Sequence, residues 1–157
     1  MEYKLKHIDY TVTIDLEGKE VKNDKFDEID VNNNLGIYFL TLDFSVVITH
    51  FDSNEETDLR DIANDNLRYS DSSSEQTLLA QEIFEDKNDV NKVITLFKNN
   101  NTQNQVLQVY KELNDYIFCT TLTIFPKLSM DTTNILKSEL TKKALNISRS
   151  IKKIKVS

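Results

Sequence analysis

Residues 105–121 read QVLQVYKELNDYIFCTT, and the architecture of the chain turns on them. Val106, Val109, Tyr110, Leu113, Tyr116, Ile117 and Thr120 recur at three- and four-residue steps, the spacing of side chains along one stripe of an α-helix. The spacing predicts an amphipathic helix of about five turns. Pro126, the only proline, cannot continue a helix and pushes Phe125 into an extended conformation, so the helix is expected to stop before "IFP". The chain would then run extended through "KLSM". A second helix is predicted to follow, capped by Asp131 or Thr132. Its apolar stripe would be Leu136, Leu140, Ala144, Ile147, Ile151 and Ile154.

Upstream the pattern has a period of two. Ile8, Tyr10, Val12, Ile14 and Leu16 alternate with Asp9, Thr11, Thr13, Asp15 and Glu17, which predicts a strand with one core face and one wet face, ended by Gly18. Tyr3 and Leu5 fall on the opposite parity, so a bulge or a change of direction is expected near Lys6 and His7. Residues 19–35 are polar, with Phe26 and Ile29 as anchors, and read as a crossover. A long second strand is predicted from Ile37 to Phe51. Its even row (Tyr38, Leu40, Leu42, Phe44, Val46, Ile48) should face the core, and its odd row, which includes Phe39, should be partly wet.

Residues 52–75 form an acidic surface excursion, in which Leu59, Ile62, Ala63 and Leu67 have the spacing of one short helix. The segments "QTLLAQEIFEDK" and "VNKVITLFK", within 76–98, fit either strand or helix. Strands are preferred because the two long strands need partners for their edges. The expectation is one α+β domain over residues 1–157: an antiparallel sheet of about four strands with two C-terminal helices.

Composition narrows the function. Apolar residues make up 39% of the chain, so the core is modest and completion by a second copy is expected. From Met130 onward seven Lys and Arg face two acids; the balance of +5 there leaves −12 on residues 1–129, a body that repels nucleic acid. The single cysteine, Cys119, permits no internal disulfide, and "MEYKLKHIDY" lacks the apolar core of a signal peptide, so a cytoplasmic protein is expected. No apolar run has the length to span a bilayer. His7 and His50 are the only histidines and Gly18 and Gly36 the only glycines, so neither a metal-ligand spacing nor a phosphate-cradling loop is present. Cys119, inside an apolar run, reads as a core residue rather than a nucleophile. No enzyme activity and no cofactor are expected.

The order of segments resembles the SecB family of export chaperones. The resemblance is carried by "YKLKHIDY", a crossover, "YFLTLDFSVVITHF", "TLLAQEIF", the 105–121 segment and the turn "FPKLSM" before a final helix. It implies a holdase that binds unfolded or extended apolar segments and assembles as a dimer or a tetramer. Phe26, Phe39, Phe51, Phe125 and Leu128 are the expected peptide-binding residues, because aromatic side chains left partly uncovered beside strand edges mark a binding surface. The second reading is a small acidic interaction or inhibitor protein of a mobile element that holds one specific protein partner.

Overall fold

The computed structural model describes residues 1–22, 33–53, 58–64, 76–86, 89–128 and 132–155. In chain order its elements are β1 (Glu2–Lys4), β2 (Tyr10–Thr13), β3 (Lys19–Glu20), β4 (Leu35–Leu40), β5 (Phe44–Asp52) and a helical turn α1 (59–64). These are followed by β6 (Gln76–Asp86), β7 (Asp89–Asn99), β8 (Gln105–Leu113), β9 (Tyr116–Ile124), a 3-10 turn (Ile135–Lys137), α2 (Glu139–Ser150) and β10 (Lys152–Lys153). A seven-stranded antiparallel sheet has the order β3-β4-β5-β9-β8-β7-β6, and a three-stranded sheet has the order β1-β2-β10. The expected α+β, SecB-like arrangement of about four strands and two C-terminal helices is therefore corrected: the protein is mostly β.

The correction begins in the opening stretch. Residues 105–121 are not a helix but most of a hairpin, in which Val109 faces Thr120 and Leu113 faces Tyr116. Val, Ile, Tyr, Phe and Thr dominate it, the residues that fit a pleated surface. The reversal lies at Asn114–Asp115, where Asn114 takes a φ of 55°, a left-handed backbone that asparagine tolerates. Both faces of the hairpin are covered, so apolar side chains fall on both parities and imitate a three-four spacing. Pro126 accordingly ends a strand rather than separating two helices.

A second reversal was concealed in the run 37–51. The chain turns at Thr41–Phe44, where the Thr41 hydroxyl accepts from the backbone N–H of Asp43 (3.3 Å) and Phe44 (3.1 Å) and donates to the Phe44 carbonyl (2.8 Å). Because the strand folds back on itself, Phe39 pairs with Val46 and Ile37 with Ile48. The odd row before the turn thus shares the core face with the even row after it. Phe39, expected on the wetter face, is 1% exposed, whereas Leu42, expected in the core, is 97% exposed.

Other expectations agree with the structure. Residues 76–86 and 89–99 are strands, and the change of direction near Lys6 and His7 is the β1–β2 reversal, with His7 at φ 68°. The final helix exists, but Ser138, not Thr132, caps it, its hydroxyl accepting from the Leu140 N–H at 3.3 Å; Asp131 lies outside the described residues. Leu140, Ala144, Ile147 and Ile151 pack with Val46, Ile48, Val109 and Phe118 of the sheet and with Tyr10, Val12 and Ile14 of the small sheet. On the opposite face Leu59 and Ala63 of α1 cover Val93, Tyr110, Ile117 and Cys119. The long edge strand β6 is irregular at Leu78/Ala80 and Phe84/Glu85 and exposes Glu82, features that discourage pairing with another chain. Among the described residues no helix is long and apolar enough to cross a membrane.

Candidate functional site

The two ends of the large sheet carry different chemistry. At one end three connections converge: the Thr41–Phe44 turn, the turn that follows β9, and the β7–β8 loop. The Phe125 N–H donates to the Asp43 carbonyl at 3.0 Å and the Leu128 N–H to the Phe125 carbonyl at 2.9 Å, so Pro126 occupies the second position of a tight turn tied to the first. Residues 99–104 are folded on Asn99, whose side-chain oxygen accepts from the N–H groups of Asn101 and Thr102 (3.0 and 3.1 Å). Gln103 takes a φ of 65° and its N–H donates to the Asn99 carbonyl at 2.8 Å. Between these turns lies a groove of about 250 Å³. Ile124, Phe125, Pro126 and Leu128 form its apolar wall, and Lys98, Gln103 and Gln105 its polar rim. Leu42 projects from the neighbouring turn.

The other end is polar and aromatic. His7, Asn33, Asn34, His50, Asp52 and Tyr116 surround a space of about 480 Å³. His50 is only 5% exposed; its ring lies edge-on to Tyr116 with centroids 5.6 Å apart, and its backbone N–H donates to the Asn34 carbonyl at 3.0 Å. Tyr10 packs on Tyr116 (5.6 Å) and Phe118 (5.1 Å), and its hydroxyl accepts from Asn114 Nδ2 at 3.2 Å. Among the described residues no group of three His, Cys, Asp or Glu side chains is placed to hold a metal ion. The sequence shows two histidines without a useful spacing; the packing of the β1–β2 reversal against the start of β4, where the Lys6 N–H donates to the Gly36 carbonyl at 2.8 Å, brings them to one pocket from positions 43 residues apart.

The five residues expected to bind peptide are not gathered together. Phe125 and Leu128 share the groove; Phe51 packs beside α1 and borders the histidine pocket; Phe39 is core; Phe26 lies outside the described residues. Leu42 was missed as a surface residue. The signal that would have found it is the short Thr-x-Asp-Phe segment, whose threonine and aspartate suit a turn. Cys119 is buried beside Thr121 (3.4 Å), and burial, opposed by hydrogen bonds from Thr121, Tyr110 and Thr49, pushes its thiol up to about 11. It is a packed thiol, not an activated one.

No family model matches the chain, and no curated protein matches it in sequence. In three dimensions it is similar to the cyanobacterial PsbP (CyanoP) of Synechocystis sp. PCC 6803, with a TM-score of 0.64 and 9% identity over 98% of this chain and 92% of that one. The chain shares that fold. It is also similar to the Ran-binding protein Mog1p of Saccharomyces cerevisiae, with a TM-score of 0.60 and 8% identity over 97% of this chain and 94% of that one. Neither is a SecB-like structure, and at these identities the likeness is one of fold.

Proposed function

We propose that the chain is a non-catalytic, cytoplasmic interaction protein that holds one specific protein partner through the turn end of the sheet. The observation that carries this reading is Leu42, 97% exposed on a turn braced by the Thr41 hydroxyl, beside the groove walled by Phe125, Pro126 and Leu128. A large apolar side chain held on a rigid turn loses little entropy on docking, which suits it to anchor an interface. The proposed partner offers a matching apolar pocket for Leu42 and a side chain that fills the groove, where Lys98, Gln103 and Gln105 supply polar contacts at the rim. The same fold carries a Ran-binding protein in yeast, which supports its use as a scaffold for protein docking.

The chaperone reading has less support. A holdase needs a broad apolar surface that accepts many sequences, yet Phe39 is buried and the apolar residues at the turn end form a small patch. Two measurements separate the readings. The chain should form a complex at a fixed ratio with one protein of its source cell; Leu42→Asp should abolish that complex, and Phe84→Asp, at the opposite end of the edge strand β6, should leave it intact. If the wild-type chain instead suppresses aggregation of several unrelated denatured proteins and Leu42→Asp does so equally well, the interaction reading fails and the holdase reading stands.

A further inference from the structure

On the face of the sheet that carries α2, well away from the turn end, two lysines lie side by side under the helix end that carries Arg149. Lys92 of β7 and Lys111 of β8 are direct cross-strand partners, and Arg149 lies in the last turn of α2. Like charges placed directly opposite on a sheet repel. The chain has 26 carboxylates available to relieve this, yet among the described residues none forms an ion pair with Lys92, Lys111 or Arg149. Glu82, on the same face of β6, is not paired with them, and the register places Glu112 on the opposite face.

The two ammonium groups are nevertheless held in place. Lys92 Nζ sits 5.5 Å from the centroid of the Phe84 ring, a cation–π contact, and Lys111 Nζ donates to the Ser148 carbonyl at 3.3 Å, beside Arg149. Each keeps further N–H donors for another acceptor. Partial burial, with the positive charge of Arg149 added, holds the Lys92 ammonium below its ordinary range; burial, Lys92 and Arg149 do the same to Lys111. The folded chain therefore bears an electrostatic cost at this place. Such a cost is characteristic of a preorganised site for the opposite charge.

We infer that Lys92, Lys111 and Arg149 form a binding site for a phosphate-type dianion, either free phosphate or the phosphomonoester of a phosphorylated side chain. A dianion offsets most of a triple positive charge, whereas a single carboxylate leaves two charges uncompensated. Three oxygens can be shared among two point-charge ammoniums and a planar guanidinium fork. An extended polyanion is disfavoured because the remainder of the chain is strongly acidic. The site is separate from the proposed docking end and does not depend on it.

The test is titration of the full chain, at constant ionic strength, with inorganic phosphate and in parallel with O-phosphoserine, followed by the backbone amide NMR signals around residues 92, 111 and 149. Saturable shifts confined to these residues are expected. Tighter binding of O-phosphoserine would assign the site to phosphorylated side chains, and equal or tighter binding of phosphate to the free ion. Each charge removed, in Lys92→Gln or Arg149→Gln, should weaken binding about tenfold, the size of one charge-assisted hydrogen bond. Without phosphate, Lys92→Gln should raise the melting temperature through relief of repulsion; with phosphate, the wild type should gain stability and the double variant, Lys92→Gln with Arg149→Gln, should not. Shifts no larger than those produced by chloride, or unchanged affinity in the double variant, would overturn the site.

Discussion

The turn end and the histidine end of the sheet are built from similar residue types put to opposite use. At the histidine end Tyr10 and His50 pack edge-on to Tyr116, Phe118 lies tilted against Tyr10 and Tyr116, and all but the half-buried Tyr116 are buried. At the turn end Leu42 is fully outside, and Phe125 and Leu128 are half-buried around a groove. Aromatic and aliphatic content alone therefore does not mark a binding surface. The position of the chain reversals decides exposure: where a turn folds a strand back, a side chain that continued alternation would have buried is left in water.

The largest expected effect lies at the packed end. Phe118→Ala removes a fully buried ring in contact with Tyr10 and Tyr116 and should destabilise the fold by about 3–5 kcal/mol in denaturant unfolding. A loss below 1 kcal/mol, on the same scale as a surface truncation, would erase the contrast between the ends. The interior between them is tested by pH. The folded chain keeps the Cys119 proton up to about 11, whereas the ordinary value is 9.0, so the unfolded chain ionises first and stability drains away as pH rises from 9 to 11. Cys119→Ala should lack about 2–3 kcal/mol of the alkaline loss measured in the wild type. Lysine titration contributes equally to both proteins and cancels in the comparison; parallel stability–pH curves would place the thiol in water.

Smaller effects sharpen the turn end. Thr41→Val deletes the hydroxyl that accepts from Asp43 and Phe44 and should cost about 1 kcal/mol. Its hydrogen-exchange signature should be confined to the Thr41–Phe44 turn and the tied Phe125 amide. Exchange that spreads through β5 would mean that the turn supports the core rather than a surface. Smallest of all, Leu42→Ala should change stability by less than about 0.5 kcal/mol, as exposed truncations do. A core-sized loss would restore Leu42 to the interior and remove the docking surface.

What the sequence made legible follows from local periodicity. The alternation of Tyr10, Val12 and Ile14, the middle of the expected stripe (Leu140, Ala144, Ile147, Ile151) and the strands of 76–99 all rest on one covered face each or on edges in need of partners, and each is present; Leu136, exposed in the 3-10 turn, and Ile154, beyond the helix, do not belong to the stripe. The illegible parts are the two hairpins whose reversals lack glycine and proline. Asn114–Asp115 lies inside a run that is apolar on both faces, so its period resembled a helix; Leu42–Asp43 lies inside a run that alternates without interruption, so it resembled one long strand. Each missed turn misassigned a face, which is why Phe39 was expected to bind and Leu42 to pack. Of the candidate site, Phe125 and Leu128 were named from an extended run expected after Pro126; the chain instead makes a tight turn there, closed by the Leu128 N–H on the Phe125 carbonyl at 2.9 Å, and it is this turn that sets both side chains on the groove. The convergence of His7 with His50 depends on how the small sheet packs on the large one, and that of Lys92 with Lys111 and Arg149 on the β7–β8 register and the seating of α2, none of which a local pattern encodes.

The most direct test of the docking assignment is an amide NMR footprint of the chain in complex with the partner recovered from its source cell. Signals at 41–43, 98–105 and 124–128 are expected to shift or broaden while His7, His50, Asp52 and Tyr116 keep their free positions. A footprint centred on the histidine pocket, or along β6, would contradict it.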